Sequence, residues 1–337
     1  MKKLALWTVA WSLLCCSCSW AGAQSAPDEP STYRVEVRVV QVEAQVLNKK
    51  TRLFVPALKQ EDFLVLEDDV PQTISSFSQD KLPLSIVILF DLTDSVRPVL
   101  KTLAEGALEA LEHLKPEDEV TVMVYAAATQ VLQEATTDRA LAVAAIEKAS
   151  RMKSDEAAFF NEGIFQAAAQ LTRGKNPASR RVIIWLTDDV PNIPSQNIPP
   201  QERRSLRDAV PHTQQEAMKE LLWSGTVVCS LLKGSELSEA GFAHLQSIPA
   251  ERMLYPPGEV YKYASATGGQ VIEYKKKELK DKLAALIDNL RLRYSLGYHP
   301  SAQKPKGKFC RIKVQLAPET GKQVGKVEVE ARQGYYR

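Results

Sequence analysis

The stretch PLSIVILFDLTDS, residues 83–95, joins an uninterrupted apolar run to a carboxylate and two hydroxyls. Such a run is typical of a strand buried on both faces, as in the middle of a parallel sheet. In open α/β sheets, ligands bind in the crevice beyond the carboxyl ends of the strands. We therefore expect Asp91, Thr93 and Ser95 to lie at a binding edge of a central sheet.

A second stretch repeats this pattern. Residues 181–186, RVIIWL, end in Thr187, Asp188 and Asp189. If both strands belong to one parallel sheet, Asp91 and Asp188 meet at the same edge. Carboxylate and hydroxyl oxygens are hard donors, which suit Mg²⁺ or Mn²⁺ better than a soft metal.

The two loops resemble the metal-ion-dependent adhesion site of the von Willebrand factor type A family. The first loop of that family, Asp-x-Ser/Thr-x-Ser, is matched by Asp91, Thr93 and Ser95. Its later loop, Thr-Asp-Gly, is matched by residues 187–189, with Asp189 where glycine is usual. The resemblance implies a bound Mg²⁺ or Mn²⁺ ion whose coordination is completed by the carboxylate of a partner protein. The implied metal ligands are Asp91, Thr93, Ser95 and Asp188.

A third loop of the family supplies a threonine to the metal, just ahead of a helix. The corresponding stretch is residues 157–164, AAFFNEGI, where Ala157 or Ala158 replaces that threonine. Water, Asp155 or Glu156 would have to supply the ligand instead.

Several other stretches resemble an exported family related to von Willebrand factor type A proteins and described mainly from acidobacteria. That resemblance implies fold and export, and it implies no particular ligand or reaction. The stretches are PALKQEDFLVLEDDVPQTISSFS at 56–78, ATGG at 266–269, YSLGYHP at 294–300 and the terminal Gly-Tyr-Tyr at 334–336.

Residues 1–23 have the features of a secretory signal peptide. Two lysines precede an apolar stretch, and the small residues 21–23, AGA, fit a cleavage site. Lipid attachment at Cys15, Cys16 or Cys18 is the alternative to cleavage after Ala23. We expect an exported protein that is periplasmic, secreted or associated with the cell envelope, with no transmembrane segment in the mature chain.

The predicted fold class is α/β, with a Rossmann-like domain inserted between terminal strands. Residues 83–290 alternate apolar strands with amphipathic helices, which favours a mostly parallel sheet flanked by helices. Residues 24–82 and 291–337 contain short alternating strands. Neither end has enough strands for a stable sheet of its own, so we expect the two ends to pack together as a small β-sandwich.

Charge and cysteine content restrict the function. The 43 basic and 41 acidic residues become 41 of each without the leader, which does not favour nucleic-acid binding. Cys229 and Cys310 remain in the mature chain, and both lie in apolar or alternating stretches typical of buried cysteines. The loop at 190–213 is long for a compact domain, so we expect it to form part of the binding rim.

The site residues also have simpler interpretations. Asp91 could accept backbone N–H bonds at a strand end, and Asp188 and Asp189 could be turn residues. Thr93, Asp94 or Ser95 could cap the helix that begins near residue 96.

Three functions follow from these patterns. The first is an exported adhesion-type module that binds a protein or another envelope ligand through the metal site. The second is a metal-independent envelope scaffold. The third is a phosphate-ester hydrolase that uses Asp91, but the haloacid dehalogenase type, which also places a nucleophilic aspartate after a buried strand, needs a second aspartate where Thr93 stands. The sequence also has no G-x-S-x-G elbow, P-loop or dinucleotide fingerprint, so we expect no enzyme activity.

Overall fold

The computed structural model describes residues 39–51, 53–79, 82–93, 95–154, 159–176, 178–188, 211–233, 259–274, 278–301 and 304–337. The predicted leader at 1–23, with its three cysteines, lies outside these residues. So do the third-loop residues 155–158, Asp94, Asp189 and most of the predicted rim at 190–213.

A six-stranded sheet forms the centre of the α/β part, in the order β10-β9-β8-β5-β6-β7. Its strands pair in parallel except β7, which pairs with β6 in the antiparallel direction. The strands are β5 (Leu84–Asp91), β6 (Glu119–Tyr125), β7 (Thr129–Thr136), β8 (Arg180–Thr187), β9 (Val227–Lys233) and β10 (Val271–Tyr274).

The apolar run that precedes Asp91 lies in β5, in which all eight residues are buried. Alternate side chains of a strand point to opposite faces. Ile86 and Ile88 accordingly join one hydrophobic core, and Val87 and Leu89 join the other. Because both faces are covered, β5 needs apolar residues at nearly every position.

In the described part of the chain, six helices cover the two faces of this sheet. The first core is completed by α1 (Arg97–Glu112), α2 (Arg139–Arg151) and α6 (Leu279–Arg291). The second is completed by α3 (Phe160–Thr172), α4 (Gln214–Ser224) and α5 (Glu259–Thr267). Among the described residues, no helix is both long and apolar enough to cross a bilayer.

The chain ends form two four-stranded sheets, in the orders β13-β1-β11-β4 and β14-β12-β2-β3. Each sheet combines strands from before and after the α/β part, and buried side chains from both sheets share one core. A 3₁₀ turn at Gln60–Asp62 and α7 (Pro318–Val324) accompany them. The strands are β1 (Val40–Asn48), β2 (Phe63–Glu67), β3 (Val70–Gln72), β4 (Ile74–Gln79), β11 (Tyr294–Tyr298), β12 (Phe309–Leu316), β13 (Val327–Ala331) and β14 (Gly334–Tyr336).

The predicted fold class is confirmed: a mostly parallel sheet flanked by helices, with additional antiparallel sheets built from both ends. Among the described elements, α5, α7, β3 and the 3₁₀ turn at Gln60–Asp62 were not predicted from the sequence. The domain boundaries at 23, 82 and 290 stay predictions.

Candidate functional site

Three parallel strands end side by side at the carboxyl edge of the central sheet. Phe90 of β5 pairs with Leu186 of β8, which places Asp91 beside Thr187. On the other side, Asp91 pairs with Tyr125, the last residue of β6. The register of the sheet therefore brings the loops after β5 and β8 to the same edge, as expected.

The Asp91 carboxylate is fully buried and accepts four hydrogen bonds. Its Oδ1 atom accepts from the backbone N–H of Thr93 at 2.8 Å and from the Thr93 hydroxyl at 2.6 Å. Its Oδ2 atom accepts from the hydroxyls of Tyr125 and Thr187, both at 2.7 Å. A carboxylate has about four lone-pair directions, so all of them are used by the protein.

The direction of the Tyr125 hydrogen bond follows from its other neighbour. The indole Nε1 of Trp185 donates to the Tyr125 hydroxyl oxygen at 2.8 Å. Indole N–H is only a donor, so the phenolic proton of Tyr125 points to Asp91. The three side chains form a directed chain from Trp185 through Tyr125 to Asp91, and all three are fully buried.

The pKa values of this network are shifted mainly by burial. Burial raises the pKa of the Asp91 carboxyl, against the opposing effect of its hydrogen bonds from Thr93, Thr187 and Tyr125. Burial and then the Asp91 charge raise the pKa of Tyr125 well above its ordinary value. Tyr125 is therefore a hydrogen-bond donor throughout the physiological pH range.

The hydroxyls of the first loop lead from this buried carboxylate to solvent. The Oγ1 atom of Thr93 lies 3.2 Å from the Oγ atom of Ser95. Thr93 is nearly buried, Ser95 is exposed and Asp188 is partly exposed. The site thus runs from the buried Asp91 to the exposed Ser95, and the partly exposed Asp188 directly follows Thr187 at the neighbouring strand end.

The helix after the first loop does not account for these hydroxyls. The N-cap residue of α1 is Val96, which has no polar side chain for capping. Thr93 accepts the N–H groups of Val96 and Arg97 with its backbone carbonyl and directs its hydroxyl to Asp91. Asp91 does accept one backbone N–H bond at the strand end, from Thr93, as its simpler interpretation expects.

The donor set fits a hard divalent cation, with a particular role for Asp91. Thr93 donates its single hydroxyl proton to Asp91, so Ser95 is the donor in the contact between the two hydroxyls, and one oxygen lone pair of Thr93 remains for a cation. Its distance to the Ser95 oxygen is close to the edge of an octahedron around Mg²⁺, about 3.0 Å. Because the Asp91 acceptor positions are filled, the carboxylate lies behind the hydroxyls rather than among the directly available ligands.

Sequence reasoning did not assign Tyr125, Trp185 or the Thr187 hydroxyl to the site. One signal was available, because Tyr125 ends an apolar strand at the same sheet edge as Asp91. The described end of the predicted rim, at His212, contacts α3 instead of the carboxylate. Its ring stacks on Phe165 with centroids 3.6 Å apart, and its Nδ1 atom contacts Glu162.

Residues 86–190 match the family model described as von Willebrand factor type A domain. A von Willebrand factor type A structure from Catenulispora acidiphila is 11% identical, with 89% of this chain and 75% of that chain covered and a TM-score of 0.43.

Two further solved structures are similar. An aerotolerance-related membrane protein from Bacteroides fragilis, with multiple mutations to serines, is 15% identical over 61% of this chain and 98% of that chain, with a TM-score of 0.38. Proximal thread matrix protein 1 from the mussel byssus, with a zinc-occupied MIDAS motif, is 14% identical over 68% and 50%, with a TM-score of 0.41. No curated protein matches the sequence. The matched residues include both strand ends that meet at Asp91, and the chain therefore contains a von Willebrand factor type A domain.

Proposed function

We propose that the protein is an exported, adhesion-type interaction module that binds a divalent cation at Asp91, Thr93, Ser95 and Asp188. The observation that carries this proposal is the arrangement of hydroxyls around Asp91. The carboxylate accepts the proton of Thr93, which leaves the Thr93 oxygen able to coordinate a cation beside Ser95. A group of carboxylate and hydroxyl oxygens that is buried at Asp91 and exposed at Ser95 suits a hard cation better than an apolar ligand.

In this proposal each residue has a distinct role. Thr93, Ser95 and Asp188 would hold Mg²⁺ or Mn²⁺, and Asp91 would orient the hydroxyls and supply negative charge from behind. The ion, when bound, would offer a coordination position to a carboxylate of a partner protein. Export rests on the leader-like residues 1–23 and is part of the proposal.

The direct test uses the mature chain, residues 24–337, and titrates Mg²⁺ or Mn²⁺ by calorimetry while following the melting temperature. We expect saturable binding and a cation-dependent rise in melting temperature. Ser95→Ala and Asp188→Ala should weaken cation binding about tenfold or more, because each removes a proposed ligand on the solvent-exposed side of the site. Ser265→Ala, at an exposed serine on α5, is the matched control. Absence of saturable binding by the unmodified chain would reject the metal-dependent proposal.

A metal-independent interaction module is the second candidate, and the filled acceptor positions of Asp91 favour it. The network of Tyr125, Thr93 and Thr187 is complete with protein donors alone. This candidate expects a partner from envelope extract to be retained equally with and without a chelator. Retention that depends on the cation and on Ser95 would exclude it.

We do not propose phosphate-ester hydrolysis. A nucleophilic aspartate must reach the phosphorus atom, whereas Asp91 is fully buried behind four hydrogen-bond donors.

A further inference from the structure

The Tyr125 side chain contacts three elements around the site, namely β5, β8 and α3. Its hydroxyl donates to Asp91 of β5 and accepts from Trp185 of β8. Its ring packs edge to face against Phe160, the first residue of α3, with centroids 6.0 Å apart.

Gly163 of α3 makes room for this ring. A Cβ atom at Gly163 would lie 2.9 Å from Cγ of Tyr125, closer than real contacts allow. The ring is therefore confined between the strand ends and the helix that follows the third loop. Its hydroxyl has little freedom to leave Asp91, since Trp185 fixes the oxygen from the other side.

This hydrogen bond has an electrostatic consequence for any cation at the neighbouring hydroxyls. A donated proton at Oδ2 places positive charge density on the carboxylate and reduces its attraction for a cation. Thr93 also donates to the carboxylate, but its oxygen can still coordinate a cation. The Tyr125 oxygen already accepts the Trp185 N–H. Tyr125 therefore donates a proton to Asp91 but offers no oxygen ligand to a cation.

We propose that Tyr125 is a positioning residue that keeps Asp91 behind the hydroxyls and lowers the affinity of the site for a divalent cation. The inference rests on the proposed function and concerns its regulation. With Tyr125 in place, the site would bind the cation weakly and exchange it readily. The carboxylate of a partner would then be needed to hold the cation firmly.

The test compares Tyr125→Phe with a matched control in the mature chain. Tyr298→Phe removes a tyrosine hydroxyl that also donates at 2.7 Å to a buried carboxylate, that of Glu67, in the separate core of the antiparallel sheets. Dissociation constants for Mg²⁺ and Mn²⁺ are measured by calorimetry. We expect Tyr125→Phe to bind the cation about tenfold more tightly and Tyr298→Phe to bind it as the unmodified chain does. Circular dichroism and melting curves verify that both variants fold.

The outcomes separate the two proposals. If the unmodified chain binds the cation and Tyr125→Phe binds equally or more weakly, the role of Tyr125 is rejected and the proposed function stands. If only Tyr125→Phe binds, Tyr125 restrains the site as proposed, and the unmodified chain works without metal. If neither binds, both proposals are rejected. Tighter binding that persists in Tyr125→Phe/Asp91→Asn would show that the effect does not pass through Asp91, which also rejects the role of Tyr125.

Discussion

Two buried carboxylates in this protein, Asp91 and Glu67, each end a strand and each accept a tyrosine hydroxyl. Glu67 is the last residue of β2 and accepts from Tyr298 at 2.7 Å and from Tyr335 at 3.1 Å. Asp91 is the last residue of β5 and accepts from Tyr125 at 2.7 Å. Burial alone therefore does not distinguish a candidate binding site from a structural centre.

The residues next to each carboxylate make the difference. Beside Glu67, the adjacent Asp68 contacts the ammonium group of Lys304, so the chain supplies its own cation. Ligand atoms of Glu67, Asp68 and Cys310 lie within 4.8 Å of one another, but the Lys304 contact already compensates this group. Beside Asp91 come hydroxyls that lead to solvent, which is the arrangement that suits an exchangeable ion.

The largest expected effect is on the stability of the two centres. Asp91→Ala should lower the free energy of unfolding by about 3–5 kcal/mol, because one backbone N–H and three hydroxyls lose a buried acceptor. Glu67→Ala should cost about 2 kcal/mol, since two hydroxyls lose theirs. Urea denaturation without added metal measures both values. An equal or larger loss for Glu67→Ala would contradict the comparison.

The packing around Tyr125 gives the next effect. Gly163→Ala should cost about 1–3 kcal/mol, because its Cβ would lie 2.9 Å from the Tyr125 ring and α3 would have to shift. Alanine normally stabilises a helix relative to glycine by about 1 kcal/mol, so the sign of this result is diagnostic. Gly321→Ala in α7 has open space at its Cβ position and should be neutral or stabilising. Denaturation curves of the two variants decide this.

The two tyrosine hydroxyls allow a finer comparison. Without added metal, Tyr125→Phe should cost about 2 kcal/mol and Tyr298→Phe about 1 kcal/mol. Both lose a bond to a buried carboxylate, but Tyr125→Phe also leaves the Trp185 N–H without its acceptor. Thermal and urea unfolding in a chelating buffer provide the measurement. Equal costs would show that the Trp185 bond adds nothing to stability.

The smallest effect is a difference in pH dependence. The hydrogen bond from Lys304 lowers the pKa of Asp68 below its ordinary value of 3.8, so its stabilising contribution is present above that value and is lost as the pH falls through the lowered pKa. The pKa of Asp91 is raised by burial, so its contribution has the opposite sign and increases as the pH falls through the raised pKa.

Melting temperatures between pH 7 and pH 3 test these signs. Asp68→Asn should reduce the loss of stability in acid, whereas Asp91→Asn should make it steeper. Asp69→Asn, at the neighbouring exposed carboxylate, reports the general effect of removing one surface charge. The same slope change in Asp68→Asn and Asp91→Asn would contradict the opposite shifts of the two carboxyls.

Much of the fold could be predicted because its signals are local. The run at 84–90 is apolar at nearly every position, which is typical of a strand covered on both faces. β12 alternates buried and exposed residues, so its half-covered position was also readable. Helix α5 was missed because it is short, and its place depends on Val260 and Tyr263 entering the second core. Such burial is a tertiary contact, and a nine-residue helix has little intrinsic stability without it.

The candidate site was predicted in part for the same reason. Asp91, Thr93 and Ser95 are adjacent in sequence, and their spacing after a strand was enough to place them at a sheet edge. Tyr125 and Trp185 are separated from Asp91 by 34 and 94 positions, and no local pattern assigns them to one hydrogen-bonded chain.

The sequence by itself determined that two apolar strands would each present an aspartate at one edge of a parallel sheet, because strand burial and strand polarity are encoded in short stretches. Only the tertiary structure decided that Asp91 is enclosed by four donors while Ser95 remains exposed. That outcome depends on the register between β5, β6 and β8 and on the fit of Tyr125 against Gly163. Register and packing are set by contacts between distant segments, and these decide whether a strand-end carboxylate faces solvent or the protein interior.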